Sequence, residues 1–552
     1  MDGAAQDLTS HHLTGHPRLT QALDRLRALR SRPRLMAAVS GALIGLAQPP
    51  FGFLPGLFGY ALFLWLLEGD LGPKPKRLAF FMGWLAAFTY YLISCFWVAE
   101  AFLVDAATYG WMAPFAATLL PAGLGLFWGL CGVVYLWLRP RDARRFLFFA
   151  SLFSAFEMFR GMALSGFPWD VSGATWKAGS AISQTASVIG VYGLGFLTVA
   201  MFSAPAVVRA GRGWKGYWPV LAAVATLVVC FTGGEIRLLT TRVTQTGTLV
   251  RLVQPAVGQQ AKWTEGNFTP LFEDYVSMTR APSPAGGRLP DIIFWPEGAL
   301  PMTEEDLLSA DAWTAPVMAG LLRDNQALVM GTTRQDLDGH GRAVWRNSMM
   351  IMRRLKGQTE ITGFADKFKL VPFGEFTPFA SLLDPLGIKA LTHFDDSFTP
   401  GPRTKAVSFP GLPRFLPLIC YEGIFPSLDM TEYHDINDVQ RPQFIANLSN
   451  DAWFGATSGP LQHLNLSSYR AIEEGLPMVR STPTGVSALI DPLGRVESAS
   501  RIDLGERGFR DVLLPERVHP TFYSSCRWLG QLIIALILVG SCVSGRAKKF
   551  ST

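Results

Sequence analysis

The sequence predicts a membrane protein in two parts, an α-helical membrane domain of about eight transmembrane helices and an α/β domain built on layered sheets. Three observations predict it. Hydrophobic residues make up 49% of the 552 residues and charged residues 17%, the balance of a polytopic membrane protein carrying an aqueous domain. The apolar runs are grouped, most before residue 235 and one at 527–544. Between them, 245–520 is polar and alternates strand-like with helix-like stretches. A chain of this length also exceeds one ordinary core.

The runs lie at 35–50, 54–69, 78–100, 111–137, 146–163, 181–208, 218–233 and 527–544. The third, fourth and sixth are long enough to span alone, whereas the first two and the seventh sit near the lower limit of about 17 residues. Pro49-Pro50 and Gly52 separate the first two, as two short spans or one re-entrant pair. Basic residues decide orientation. Arg25, Arg27, Arg30, Arg32 and Arg34 precede the first run, Lys74, Lys76 and Arg77 follow the second, and Arg139, Arg141, Arg144 and Arg145 follow the fourth. Arg209, Arg212 and Lys215 follow the sixth, and Arg546, Lys548 and Lys549 close the chain, while the intervening loops carry only Lys177. This positive-inside alternation places both termini in the cytoplasm and 245–520 on the outer side of a bacterial inner membrane, in the periplasm. Residues 1–34 then form a cytoplasmic extension, with leucine and arginine spaced for an amphipathic helix over 19–35; 35–235 holds helices one to seven, and 545–552 is a cytoplasmic tail. The net charge of +6 is explained by this topology, and no zinc-finger spacing or basic-aromatic interleaving points to nucleic acid. Glu100 falls at the outer interface, and Glu157 with Arg160 has the spacing of an internal helical pair.

In the polar segment, strands are predicted at 248–257, 291–296, 327–332, 348–352, 415–420, 443–448 and 488–491, and helices at 270–280, 304–323, 382–390 and 461–474. Strands rich in Val, Ile and Phe without polar alternation are buried on both faces. Three of their ends carry chemistry. Trp295-Pro296-Glu297-Gly298 leaves one apolar run, Lys367 opens a Lys-Phe-Lys-Leu-Val-Pro-Phe-Gly-Glu block ending at Glu375, and Cys420-Tyr421-Glu422-Gly423 leaves another. Of the six cysteines, Cys95, Cys131, Cys230, Cys526 and Cys542 lie in or beside apolar runs; Cys420 alone lies in the polar segment and has no partner there for a disulfide. A nucleophile at a strand end followed by a sharp turn suits covalent acyl chemistry. No spacing suggests a metal site.

These three blocks resemble the nitrilase, or carbon–nitrogen hydrolase, superfamily and match its Glu-Lys-Cys triad. The further blocks Ser449-Asn450-Asp451-Ala452-Trp453-Phe454-Gly455, Gly459-Pro460-Leu461-Gln462-His463 and Arg480-Ser481-Thr482-Pro483-Thr484-Gly485, together with the membrane runs, are similar to its membrane-embedded branch, the apolipoprotein N-acyltransferases. Pro483 departs from the Ala-Thr-Asn pattern common there. The resemblance implies a nitrilase-like αββα sandwich and an acyl transfer without cofactor or metal. Cys420 is then the nucleophile, Glu297 the base, and Lys367 the cation that stabilises thiolate and oxyanion, with the Tyr421 backbone N–H as a second donor. Glu375 and Glu422 would orient the lysine, Asn347 would line the pocket, and Trp263 would guide a lipid head group or close the mouth. Lys369 reads as a surface ion-pair residue, and the apolar stretch 378–394 as a lid over the outer leaflet. The implied donor is a phospholipid, the implied acceptor the free amine of a diacylglyceryl apolipoprotein, and the implied state a monomer. A membrane-tethered amidase, with water as acceptor, is the alternative; a transporter with an outer domain is disfavoured by the scarcity of polar residues in the spans.

Overall fold

The computed structural model describes residues 30–284, 287–383, 397–429 and 431–547. Most of the predicted amphipathic helix over 19–35 lies outside them, as does most of the predicted lid, of which a short Ala380–Leu383 helix is described.

Every predicted apolar run holds a helix. They are Pro33–Ala47, Gly59–Leu67, Pro75–Ser94, Ala113–Leu138, Arg145–Met162, Ala186–Ser203, Trp218–Thr240 and Leu529–Ala547. Several open on proline at their first or second position, where a missing N–H costs no helical hydrogen bond (Pro33, Pro75, Pro114, Pro219). The expected count of eight spans is not met by length and composition. Among the described residues, four segments are long and apolar enough to cross a membrane: Pro75–Ser94, Ala106–Leu138, Ile182–Val207 and Trp218–Thr240. Pro33–Ala47, Leu54–Leu67 and Leu529–Ser541 are shorter apolar helices, and Arg145–Met162 carries the charges of Arg145, Glu157 and Arg160. Small residues let the helices close on one another: a Cβ on Gly83 would lie 2.3 Å from the Trp128 carbonyl oxygen, so Pro75–Ser94 and Ala113–Leu138 meet backbone to backbone there.

Among the described residues, the chain from Gln245 builds two sheets. The first has six strands in the order β10-β1-β2-β3-β4-β5, namely Gly508–Pro515, Gln245–Gln254, Ile292–Trp295, Ala327–Leu337, Ala343–Leu355 and Gln358–Asp366. β1, β2 and β3 run parallel, and the others pair antiparallel. The second has four in the order β6-β7-β8-β9, Phe415–Ile419, Phe444–Leu448, Met478–Ser481 and Ala488–Ile490, parallel except for β9. Val250, Leu252, Phe294 and Val329 of the first sheet meet Phe415, Phe444, Ala446 and Val479 of the second in one core. The Phe268–Arg280, Glu304–Leu308 and Thr314–Ala319 helices cover the outer face of the first sheet through Leu271, Tyr275, Leu307 and Met318. The expected single helix over 304–323 is thus two short ones, split at Ser309–Trp313.

The fourth layer joins the two parts of the molecule. The Gly459–Glu474 helix lies on the outer face of the second sheet, and its Leu464, Leu466, Tyr469 and Ile472 belong to the same apolar cluster as membrane residues such as Trp97, Trp169 and Val191. All its residues but Leu461 and Asn465 are buried, although many are polar. Two of these polar side chains bond across the junction: Gln462 accepts from the Trp97 and Trp169 indoles, each at 2.9 Å, and donates to the Ser94 carbonyl, while Glu473 accepts from the Val191 N–H at 2.8 Å.

Candidate active site

Three strand ends meet. β2 stops at Trp295 and Pro296, and Glu297 turns into Gly298 at φ +50°. That turn lies hard against β3: a Cβ on Gly331 would sit 2.4 Å from the Glu297 Cα, so only glycine fits there. β5 ends at Asp366, and the next residue, Lys367, is pinned by its N–H to the Asn347 carbonyl at 2.8 Å. β6 ends at Ile419, and Cys420 opens a tight turn, Cys420–Ile424, with φ +48°. A left-handed non-glycine at the end of a buried strand is a strained conformation that its surroundings must enforce.

The Glu422 carboxylate enforces much of it. It accepts from the N–H groups of Ile419 at 2.8 Å, Phe368 at 2.9 Å and Lys369 at 3.2 Å, and from the Thr404 hydroxyl at 3.0 Å. It therefore ties the cysteine turn to the lysine strand end by backbone, and does not contact Lys367 in the way expected of it. Glu375 does: the Lys367 ammonium lies 2.9 Å from Glu297 Oε1 and 3.0 Å from Glu375 Oε1. Asn347 Nδ2 donates to those same two oxygens, at 2.8 and 2.7 Å, and the Val371 N–H holds the other oxygen of Glu375 at 2.8 Å. The hydrogen bonds from Lys367 and Asn347 to Glu297 thus both fall on Oε1.

Charge sets the protonation states. Burial raises the Glu297 carboxyl, but the Lys367 ammonium and the hydrogen bonds from Lys367, Asn347 and Cys420 outweigh it and hold it below the usual carboxylate range. Burial pulls Lys367 down, and Glu297 and Glu375 more than reverse this, so its ammonium is held well above the usual lysine range. The Cys420 thiol is pushed up by burial first and by Glu297 second; Lys367 and the Asn450 backbone N–H oppose them. The resting arrangement is a neutral thiol beside a carboxylate and an ammonium. Such a set deprotonates the sulfur as it attacks instead of storing a thiolate.

Two models match, one described as the apolipoprotein N-acyltransferase N-terminal domain over 40–204, the other as carbon–nitrogen hydrolase over 249–508. A protein of Caulobacter vibrioides named apolipoprotein N-acyltransferase is 43% identical over 514 residues, covering 93% of this chain and 94% of its own. The protein of that name from Rhizobium rhizogenes is 36% identical over 520 residues, covering 92% and 95%. The chain belongs to the apolipoprotein N-acyltransferase family.

The remaining residues singled out in the sequence occupy several places around the site of this acyltransferase. Trp263 is half-buried with its ring 5.7 Å from the Lys262 ammonium. The Tyr421 side chain, expected to matter less than its backbone, sends its hydroxyl 2.7 Å to the Gly166 carbonyl in the membrane domain. Lys369 is not an ion-pair residue among those described; it lies over the Phe425 ring at 5.2 Å. Pro483 offers its carbonyl to the Ala256 N–H at 2.8 Å, a role open to any residue. Among the described residues, no group of three His, Cys, Asp or Glu side chains is placed to hold a metal ion.

Two features went unread in the sequence. Lys262, buried, donates to the Gly298 carbonyl at 2.8 Å on the Glu297 turn, and burial, partly countered by Glu297, lowers it to about 8. Behind Cys420, Asp451 accepts from Arg480 at 2.7 Å and pairs with His463 Nδ1 at 2.9 Å, and His463 Nε2 faces the Cys420 carbonyl at 3.2 Å. Burial raises Asp451, yet Arg480 and His463 prevail and hold it well below the usual carboxylate range. The one available sign was Arg480, a charge directly after the apolar stretch Leu476–Val479 that could be buried only with a partner.

Proposed function

We propose that this enzyme moves a fatty acyl chain from a membrane phospholipid to the N-terminal amine of a diacylglyceryl-cysteine apolipoprotein, through a thioester on Cys420. The observation that carries the reading is the meeting of the Cys420 turn with the Glu297–Lys367–Glu375 cluster, in a chain that shares 93% of its length with a protein named for this reaction. Glu297 takes the thiol proton as Sγ attacks the donor ester carbonyl. Lys367 and the Tyr421 backbone N–H stabilise the oxyanion. The tetrahedral adduct collapses, the ester C–O bond breaks, and Glu297 returns its proton to the departing lysophospholipid oxygen. The acceptor amine then adds to the thioester carbonyl and gives its proton to Glu297. The C–S bond breaks, an amide forms, and the proton goes back to sulfur. Glu375 and Asn347 hold Lys367 and Glu297 through both half-reactions, and Trp263 borders the approach of the lipid.

The helices long and apolar enough to cross a membrane make this a membrane protein. The basic loops support both termini in the cytoplasm and residues 245–520 in the periplasm, with the eight helices acting as spans and the chain working as a monomer. No nucleotide supply is required there, because the donor ester is already activated. Discharge of isolated acyl-enzyme tests the acceptor. The acyl group is expected to leave Cys420 for the amine of a diacylglyceryl lipopeptide far faster than for water; equal loss with and without lipopeptide favours the amidase alternative and rejects the transferase.

A further inference from the structure

We infer that Glu157 and Arg160, in the last turns of the Arg145–Met162 helix, are positioning residues for the Cys420 turn and act through the backbone of residues 166–172. The inference rests on the proposed role of Cys420.

Both side chains are charged and almost wholly buried, Arg160 at 2% and Glu157 at 3% exposure. Burying charge is costly unless the charge is matched. At helical spacing the two could be expected to pair with each other, yet among the described residues neither forms an ion pair. Each instead holds one end of the same segment. Arg160 Nη1 donates to the Phe167 and Trp169 carbonyls, the latter at 2.8 Å, and the Phe167 N–H returns to the Arg160 carbonyl at 3.0 Å. Glu157 Oε1 accepts from both the N–H and the hydroxyl of Ser172, each at 2.9 Å. The Ser172 hydroxyl also meets Tyr60 at 2.7 Å, and Tyr90 donates to the Asp170 carbonyl. Hydrogen bonds with one charged partner are the stronger kind, so this grip is firm.

The other side of the segment faces the nucleophile. The Gly166 carbonyl takes the Tyr421 hydroxyl at 2.7 Å, and Tyr421 is the residue whose N–H follows the reacting sulfur. Gly166 has no slack: at φ +80°, a Cβ there would lie 2.3 Å from the Gly161 carbonyl oxygen and 3.0 Å from the Phe425 ring. Trp169, whose carbonyl Arg160 holds, packs its ring 5.3 Å from His463, which in turn faces the Cys420 carbonyl. Two routes therefore run from Arg160 to the strained turn, one through Gly166 and Tyr421, the other through Trp169 and His463. A membrane helix with two buried charges fixes the frame against which the left-handed Cys420 is held.

A double-mutant cycle tests this. Acylation of Cys420 by phospholipid vesicles is followed at single turnover for wild type, Arg160→Gln, Tyr421→Phe and the double variant, with thermal unfolding of each in detergent. Each single change is expected to slow acylation roughly 10- to 100-fold through misplacement of the sulfur, with little change in the phospholipid concentration that half-saturates the rate. The double variant is expected to be no slower than about the worse single, because the Tyr421 route is one that Arg160 already anchors, and Arg160→Lys is expected to recover part of the rate. Multiplying effects, or a folded Arg160→Gln that acylates at the wild-type rate, overturn the inference. Should Arg160→Gln fail to fold, Glu157→Gln replaces it in the same cycle with the same criteria. Absence of acylation in the wild type would instead reject the role of Cys420 itself.

Discussion

Two buried charged clusters flank Cys420, and they differ in how completely they are satisfied. Behind the sulfur, Asp451 spends both oxygens on partners: Oδ1 meets His463, Arg480 and the Ser449 hydroxyl, and Oδ2 meets Arg480 again. In front, Glu297 takes Lys367 and Asn347 on Oε1 alone, which leaves Oε2 as the oxygen to receive a proton. Both carboxylates are held below their ordinary range by a cation that overcomes burial. A saturated carboxylate is a brace. One whose second oxygen is left by the lysine and the amide to the neutral thiol is a base, and the difference between structural and chemical use of the same residue type lies in that oxygen.

The contrast can be broken most sharply at Glu297. Glu297→Gln keeps shape and the contact with Lys367 but cannot take the proton, so Cys420 acylation should fall by about a thousandfold or more, while the unfolding temperature stays close to wild type. Asp451→Asn should do the reverse. It leaves Arg480 buried without its counter-charge, at a cost of about 3–5 kcal/mol read by denaturant unfolding. The folded Asp451 carboxyl is held below its unfolded value of about 3.9, so its stabilisation is present above that pH and lost as pH falls toward the folded value. Stability of the Asn variant should accordingly vary less with pH in that acid window than wild type.

Lys367→Gln sharpens the comparison through pH. In the wild type, Glu297 stays ionised below the ordinary glutamate value of about 4.3, so the acid limb of Cys420 alkylation should lie below that pH. Without the ammonium, burial prevails, the carboxyl rises, and the limb of the residual reaction should move to higher pH. An unmoved limb would show that Lys367 does not set the charge of Glu297. The smallest effect belongs to Lys369→Ala, since that side chain lies over Phe425 and holds none of the reacting groups; acylation should change less than about threefold.

Much of this was legible in the sequence, for a physical reason. Glu297 and Cys420 each follow an apolar stretch directly, and the end of a buried strand is where a polar side chain must emerge; Lys367 opens a block whose Leu-Val-Pro-Phe-Gly-Glu continuation marks it. The strands not anticipated lack that contrast. β5 and β10 mix polar and apolar residues because they are outer, antiparallel strands, and β8 is four residues long with Arg480 inside it. The brace behind the sulfur was illegible because Asp451, His463 and Arg480 come from a turn, a helix and a strand that only the fold brings together. The same holds for the burial of the Gly459–Glu474 helix, whose polar Gln462 and Glu473 find partners on the membrane side of the junction. Length and composition single out four of the eight expected spans among the described residues, because proline, glycine and paired charges interrupt the other apolar runs.

Intact-mass and peptide mass spectrometry of the enzyme after incubation with phospholipid vesicles tests the central claim most directly. A single fatty-acyl adduct on Cys420, removable by hydroxylamine and absent from Cys420→Ala, is the predicted result. A thiol that stays unmodified while acyl transfer proceeds would contradict it.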